Sequence, residues 1–183
     1  MGIFKKIEKP KTKDKDIYTR IEYNLNNNDN IQGERHVISD VRFPIGENIY
    51  KIDLVMISEK GIFIINPAKI EGQIIGSENE TMWRNTSNKS CRNPLEENKE
   101  DKRALSNFLR INIDKIYTYV VISSNSVINI PYSKKEYIIA KECDLYYFLG
   151  IHMNILPDTF SIEQINKMKS RLNKMNIIKQ LTE

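Results

Sequence analysis

The sequence predicts an α/β sandwich: a mixed central β-sheet flanked by helices. Ile49–Ser58 and Gly61–Asn66 carry apolar residues at both odd and even positions, as strands covered on both faces must. Elsewhere the apolar spacing is helical, and the helical stretches interrupt the strands along the chain. That alternation of element types is what a layered α/β domain requires. At 183 residues and 21.5 kDa, the expected organisation is a basic flexible tail over residues 1–16 and a single domain over 17–183.

Composition narrows the classes. With 40% hydrophobic and 28% charged residues, both signs interspersed, the body of the chain has enough apolar material to fold. A net charge of +4 and a pI near 8.9 suit contact with a polyanion without demanding it. Cys91 and Cys143 lack CxxC spacing and only His36 and His152 accompany them, so no zinc cluster can be assembled and a reducing compartment is expected. No apolar run approaches the roughly 20 residues of a spanning helix. The first residues, MGIFKKIEK, hold no signal-peptide core, and Lys6 stands where a myristoylation motif wants Ser or Thr. A cytoplasmic protein is expected.

The tail carries Lys5, Lys6, Lys9, Lys11, Lys13 and Lys15. It reads as a solvated leader, with a phosphate-contacting arm or an interfacial anchor on Ile3, Phe4 and Ile7 as alternatives. Ile17, Ile21 and Leu25 then recur every four residues, predicting a short helix that the run NNNDN ends. Glu22 flanks that stripe, either solvated or reaching a site. HVISDVRF (36–43) predicts a strand alternating Val37, Ser39, Val41 and Phe43 against Ile38, Asp40 and Arg42, closed by Pro44-Ile45-Gly46. Ile49–Ser58 places Ile52, Leu54 and Met56 on one face and Asp53, Val55 and Ile57 on the other. Lys60-Gly61 turns it into the next strand.

Gln73–Ile75 predicts one further short strand, with room for a second before Asn93. Trp83 reads as a core or lid anchor, or as a base-stacking platform. Asn93-Pro94 starts a helix to about Leu109: proline suits the first helical position, and Glu96 and Glu97 lie where the dipole favours anions. Leu95, Leu105, Phe108 and Leu109 face inward, while the charged stretch Glu96–Arg103 is solvated or faces a site. Ile116–Ser123 and Tyr137–Ala140 are β-branched and aromatic strands. Asp144 is a candidate cap for a helix, and Ser161 with Gln164 makes a capping box for a last one through Met175.

A buried-strand carboxylate such as Asp53 must have a partner, because an unpaired buried charge costs several kcal/mol or forces protonation. In this light the chain resembles the nuclease-related domain (NERD) of the PD-(D/E)xK nuclease-like superfamily. HVISDVRFP is similar to that family's first strand, and YKIDLVMISEKGIFII to its hallmark hairpin, with an acid in an Ile-Asp pair and a turn ending in Gly-Ile-Phe. Gly72 with QIIG, Trp83, NPLEENKEDKRAL and the YVVIS strand follow in the family's order, from about Ile17 to about Asn176. The resemblance implies a restriction-endonuclease-like sandwich.

It also implies a strand acid that binds a divalent metal, an E-x-K pair ending the next strand, a glutamine after Asn-Pro and an acid in the first helix. Asp53 matches the first. Asn66-Pro67-Ala68 stands at the E-x-K place, Glu97 at the glutamine place, and Glu22 is the nearest candidate for the helical acid, since Gly33-Glu34 abuts the first strand. Losing one unit charge about 4 Å from a metal, at an effective dielectric near 20, forfeits about 4 kcal/mol, or roughly a thousandfold in affinity. Ala68 removes the ammonium as well.

A bulge at Pro67 would turn Lys69 towards the lysine place, with Glu97 supplying charge beside Asp53. The leading expectation is therefore a nuclease fold whose activity is lost or strongly reduced, kept to bind DNA or RNA or a protein partner. Lys69, Lys99, Lys102 and Arg103 are the candidate phosphate contacts, and no cofactor is expected. The alternatives are an active nuclease using Mg²⁺ or Mn²⁺ at Asp53, Glu97 and Lys69, and an interaction module that binds no polyanion. Oligomeric state is not legible in the sequence.

Overall fold

A computed structural model of the chain describes residues 17–130, 134 and 137–180. The basic tail expected over residues 1–16 lies outside the described residues. Helix α1 (Ile17–Asn27) is followed by strands β1 (Arg35–Ile45), β2 (Asn48–Ser58) and β3 (Gly61–Pro67). Short strands β4 (Gln73–Ile75), β5 (Met82–Asn85) and β6 (Ser90–Arg92) precede helix α2 (Pro94–Leu109). A 3-10 turn leads into β7 (Ile116–Ile122), then β8 (Val127–Ile128), β9 (Ile138–Lys141) and helices α3 (Leu145–Ile155) and α4 (Ile162–Gln180).

The central sheet has the order β1-β2-β3-β7-β9. It is mixed: β1–β2 and β2–β3 are antiparallel, whereas β3–β7 and β7–β9 are parallel. Helices cover both faces, which is why β3 is buried along its whole length. Val41, Phe43, Val55 and Ile57 pack with Leu105 and Leu109 of α2 and Ile165 and Leu172 of α4. On the other side Leu54, Met56, Phe63 and Ile65 pack with Ile21 and Leu25 of α1 and Leu145 and Leu149 of α3. This is the expected α/β sandwich.

Local chemistry explains most element boundaries. Asn93 caps α2 by accepting from Leu95 N at 2.9 Å, with Pro94 inside the first turn. The capping box of α4 forms as expected, Ser161 Oγ accepting from Gln164 N and Gln164 Oε1 from Ser161 N. Asp144 departs from expectation: it precedes α3 with helical backbone angles and makes no side-chain cap bond. The segment before Asn93 yields β4, β5 and β6, which join β8 in a second sheet of order β6-β5-β4-β8. Strands this short leave too few positions to display a period.

Trp83 is the anchor of that sheet. It is fully buried among Ile74, Leu95, Val120 and Ile128, and its Nε1 donates to Ser77 O at 3.0 Å. Of its two sequence readings, the core anchor is the one observed. Gly76 lies against the indole: a Cβ there would meet Trp83 Cδ1 at 2.3 Å. Because the ring is boxed in, Gly76→Ala is expected to cost about 1–3 kcal/mol by overpacking. A chemical denaturation midpoint unchanged from wild type would show that the ring can move aside.

Two features of the sheet prepare the site. First, the alternation inferred for β1 and β2 slips in phase: Ile52 packs with Val55 and Ile57, and Val37 lies on the α1/α3 side while Val41 and Phe43 face α2 and α4. The cause is local. Ser39 pairs with Leu54 and Val41 with Ile52, so Asp40 and Asp53 face each other without a ladder pair, and Asp40 takes a φ of +50°. Second, the β2–β3 ladder stops at Val55–Ile64, while β3 continues alongside β7 to Pro67–Val121. Pro67 fits there: Ala68 N donates to Val121 O at 2.8 Å, so position 67 faces away from β7, where no ladder bond is owed.

Candidate functional site: a cleft where strands β2 and β3 part

The parting of β2 and β3 opens a cleft of about 330 Å³ beneath α2. Tyr50, Lys51 and Asp53 line it from β2, Asn66 from the end of β3, Lys69 from the loop after it, Arg92 from β6, and Glu97, Glu100 and Asp101 from α2. The helical contribution follows from spacing: positions 97 and 101 are four apart and share one side of α2. Asn98 lies between them in sequence, nearly fully buried, with neither amide atom hydrogen-bonded.

Asp53 has its partners in the cleft. Its Oδ1 is 3.0 Å from Lys51 Nζ and its Oδ2 is 3.8 Å from Lys69 Nζ. Lys51 also reaches Asp40 Oδ1 at 3.3 Å, and Arg42 lies 3.1 Å from the other oxygen of Asp40. The hydrogen bond to Asp53 holds Lys51 more firmly protonated than usual, against the cost of its partial burial, with Asp40 adding to the effect. Partial burial pushes the Asp40 carboxyl up, but Arg42 and Lys51 together bring it below the ordinary range.

Asp101 is the opposite case. Burial pushes its carboxyl up to about 7, the nearby acids Glu97, Asp53 and Glu100 push the same way, and the Tyr50 hydroxyl, which donates to it, opposes them only in part. Burial and the Asp101 carboxyl in turn raise Tyr50 above the ordinary phenol range. Arg92 pairs with Glu100 at the rim. A carboxyl titrating near neutrality in a cleft is a candidate proton donor or acceptor.

Of the residues singled out in the sequence, Asp53, Asn66, Lys69 and Glu97 meet in this cleft. Lys69 arrives without a bulge: β3 keeps its register with β7 through Pro67, and Lys69 reaches back from the loop beyond. Glu22 does not line the cleft; it accepts from Ser39 Oγ at 3.0 Å. Lys99 pairs with Glu96 at 2.7 Å on α2, and Lys102 and Arg103 are likewise absent from the lining. The sequence reading missed Lys51, Tyr50, Arg92, Glu100 and Asp101. Lys51 was findable, two residues before Asp53, as was Asp101 by its helical spacing from Glu97.

A mixed sheet between helical layers, with an acid on a central strand at the mouth of a cleft, defines a nuclease-like α/β sandwich. Within that class the chain belongs to the nuclease-related domain family, NERD, whose model matches residues 14–123, more than half of its length. No curated protein and no solved structure matches it.

The family's fold implies a divalent metal at the strand acid, and the donor set here does not fit one. Mg²⁺ is held by one or two carboxylates together with substrate phosphates. Here Asp53, the strand carboxylate that lines the cleft, already faces two ammonium groups, Asn66 is a neutral amide and Ala68 brings no donor. Among the described residues no group of three His, Cys, Asp or Glu side chains is disposed to hold a metal ion. No helix of the described residues is long and apolar enough to cross a membrane.

Proposed function

We propose that this nuclease-fold domain binds nucleic acid, DNA or RNA, and cleaves it slowly or not at all. The observation that carries the reading is the pairing of Asp53 with Lys51 and Lys69 in place of a second metal-binding acid. A carboxylate neutralised by two ammonium groups has little left with which to attract a cation. The net charge of +4 suits a polyanion, while the cleft itself sets Lys51, Lys69 and Arg92 against Asp53, Glu97, Glu100 and Asp101.

Purified protein incubated with single- and double-stranded DNA and with RNA, in Mg²⁺ or Mn²⁺, is expected to leave them intact. The logarithm of the binding constant is expected to fall linearly with the logarithm of salt concentration. Cleavage that Asp53→Ala abolishes would overturn the reading. Binding that ignores salt, or none at all, would point to a module for a protein partner.

One observation favours the second reading, a metal-dependent nuclease with a remodelled site. Lys69 lies 3.8 Å from Asp53, and Glu97 lines the same cleft. That reading requires Mg²⁺ or Mn²⁺ to bind at Asp53 and Glu97, and calorimetry on the wild-type chain decides it.

A further inference from the structure

We propose that the Lys51 ammonium is an internal substitute for a divalent cation, seated between Asp53 and Asp40 and keeping metal ions out of a carboxylate pair that would otherwise attract one. The inference rests on the reading of the domain as one that does not cleave through a metal, and it supplies a physical cause for it.

The register brings the two acids together. Asp40 and Asp53 face each other across β1 and β2, flanked by the pairs Ser39–Leu54 and Val41–Ile52. Like charges directly opposite on neighbouring strands repel, so the pair needs a cation between them. Lys51 supplies it, 3.0 Å from Asp53 Oδ1 and 3.3 Å from Asp40 Oδ1. Asp40 sits there in a left-handed backbone conformation, one that aspartate visits more readily than most non-glycine residues.

The remaining carboxylate oxygens are engaged as well. Arg42 Nη2 lies 3.1 Å from Asp40 Oδ2, and Lys69 Nζ lies 3.8 Å from Asp53 Oδ2. Three cationic side chains thus surround two carboxylates. A metal ion arriving there would have to displace a tethered ammonium and accept two positive neighbours. Lys51 is the group whose removal changes this most, because, of these three cations, it is the one that touches both acids.

The test is Mn²⁺ titrated into the full chain by calorimetry, for wild type, Lys51→Met and Lys51→Gln. Methionine keeps most of the apolar stem without the charge; glutamine keeps polarity should an exposed methionine promote association. Wild type is expected to show no saturable binding. Both variants are expected to gain one site at least tenfold tighter, and Mn²⁺ to raise their melting temperature but not that of wild type. Adding Asp40→Asn or Asp53→Asn should remove the gain. Variants that bind Mn²⁺ no better than wild type, or a wild type that binds it equally well, would overturn the proposal. Mn²⁺ binding by wild type, or cleavage that depends on it, would overturn the functional reading as well, whereas variants that bind no better than a silent wild type overturn the proposal alone.

Discussion

Asp101→Asn is expected to stabilise the domain at pH 8 by about 2–4 kcal/mol and to flatten its stability between about pH 4 and pH 7. In the folded chain burial, with Glu97, Asp53 and Glu100 close by, raises the Asp101 carboxyl to about 7; unfolded, it titrates near its ordinary 3.8. Between those two values the folded state binds more protons than the unfolded one. Stability contributed by this group is therefore full at low pH and falls as pH rises through the window. A gap of about three units at about 1.4 kcal/mol each bounds the loss near 4 kcal/mol. Asparagine keeps an oxygen to accept from Tyr50 and has no charge to bury. Denaturant unfolding at pH 4.5, 6 and 8 measures the effect. Parallel pH curves for the two proteins, or a less stable variant at pH 8, would show that the carboxyl is ionised in the folded state at little cost.

The same carboxyl shows why the fold was more legible than the cleft. Burial on both faces of β3 is written in its uninterrupted apolar run, and Pro94 and the Ser161–Gln164 box announce their helices through bonds only a few residues long. The cleft depends on non-local facts. Asn66-Pro67-Ala68 revealed that the E-x-K pattern is broken, but not that the β2–β3 ladder ends at Val55–Ile64 and lets Lys69 turn back from a loop. A two-residue alternation misplaced Ile52 because the phase changes where Asp40, at positive φ, faces Asp53 without a ladder pair. The charged stretch Glu96–Arg103 offered two faces, and only the position of α2 over the sheet selects Glu97 and Asp101 for the cleft while leaving Lys99 paired with Glu96.

That position of α2 is set by Asn93, and Asn93→Ala is expected to cost about 2–4 kcal/mol. Losing an N-cap acceptor accounts for about 1 kcal/mol, and losing the two amide hydrogen bonds to the Ser77 and Glu80 carbonyls adds about 1–3 kcal/mol. Asn93 is wholly buried, and its amide donates to Glu80 O at 2.6 Å and Ser77 O at 3.2 Å. Ser77 O also accepts from the Trp83 indole. One side chain therefore fastens the first turn of α2 to the loop that holds the second sheet's core. Glu97 lies one turn along that helix and Asp101 two, so a loosened start should admit water to the cleft and lower the Asp101 titration from about 7 towards 3.8. Asn93→Ser separates the contributions, since it keeps a cap acceptor but loses the amide donors. Its stability should fall between wild type and Asn93→Ala, with the Asp101 carboxyl followed by NMR titration in all three. A serine variant as stable as wild type would mean that the donors to Ser77 and Glu80 hold nothing in place, and that α2 is positioned by its apolar contacts alone.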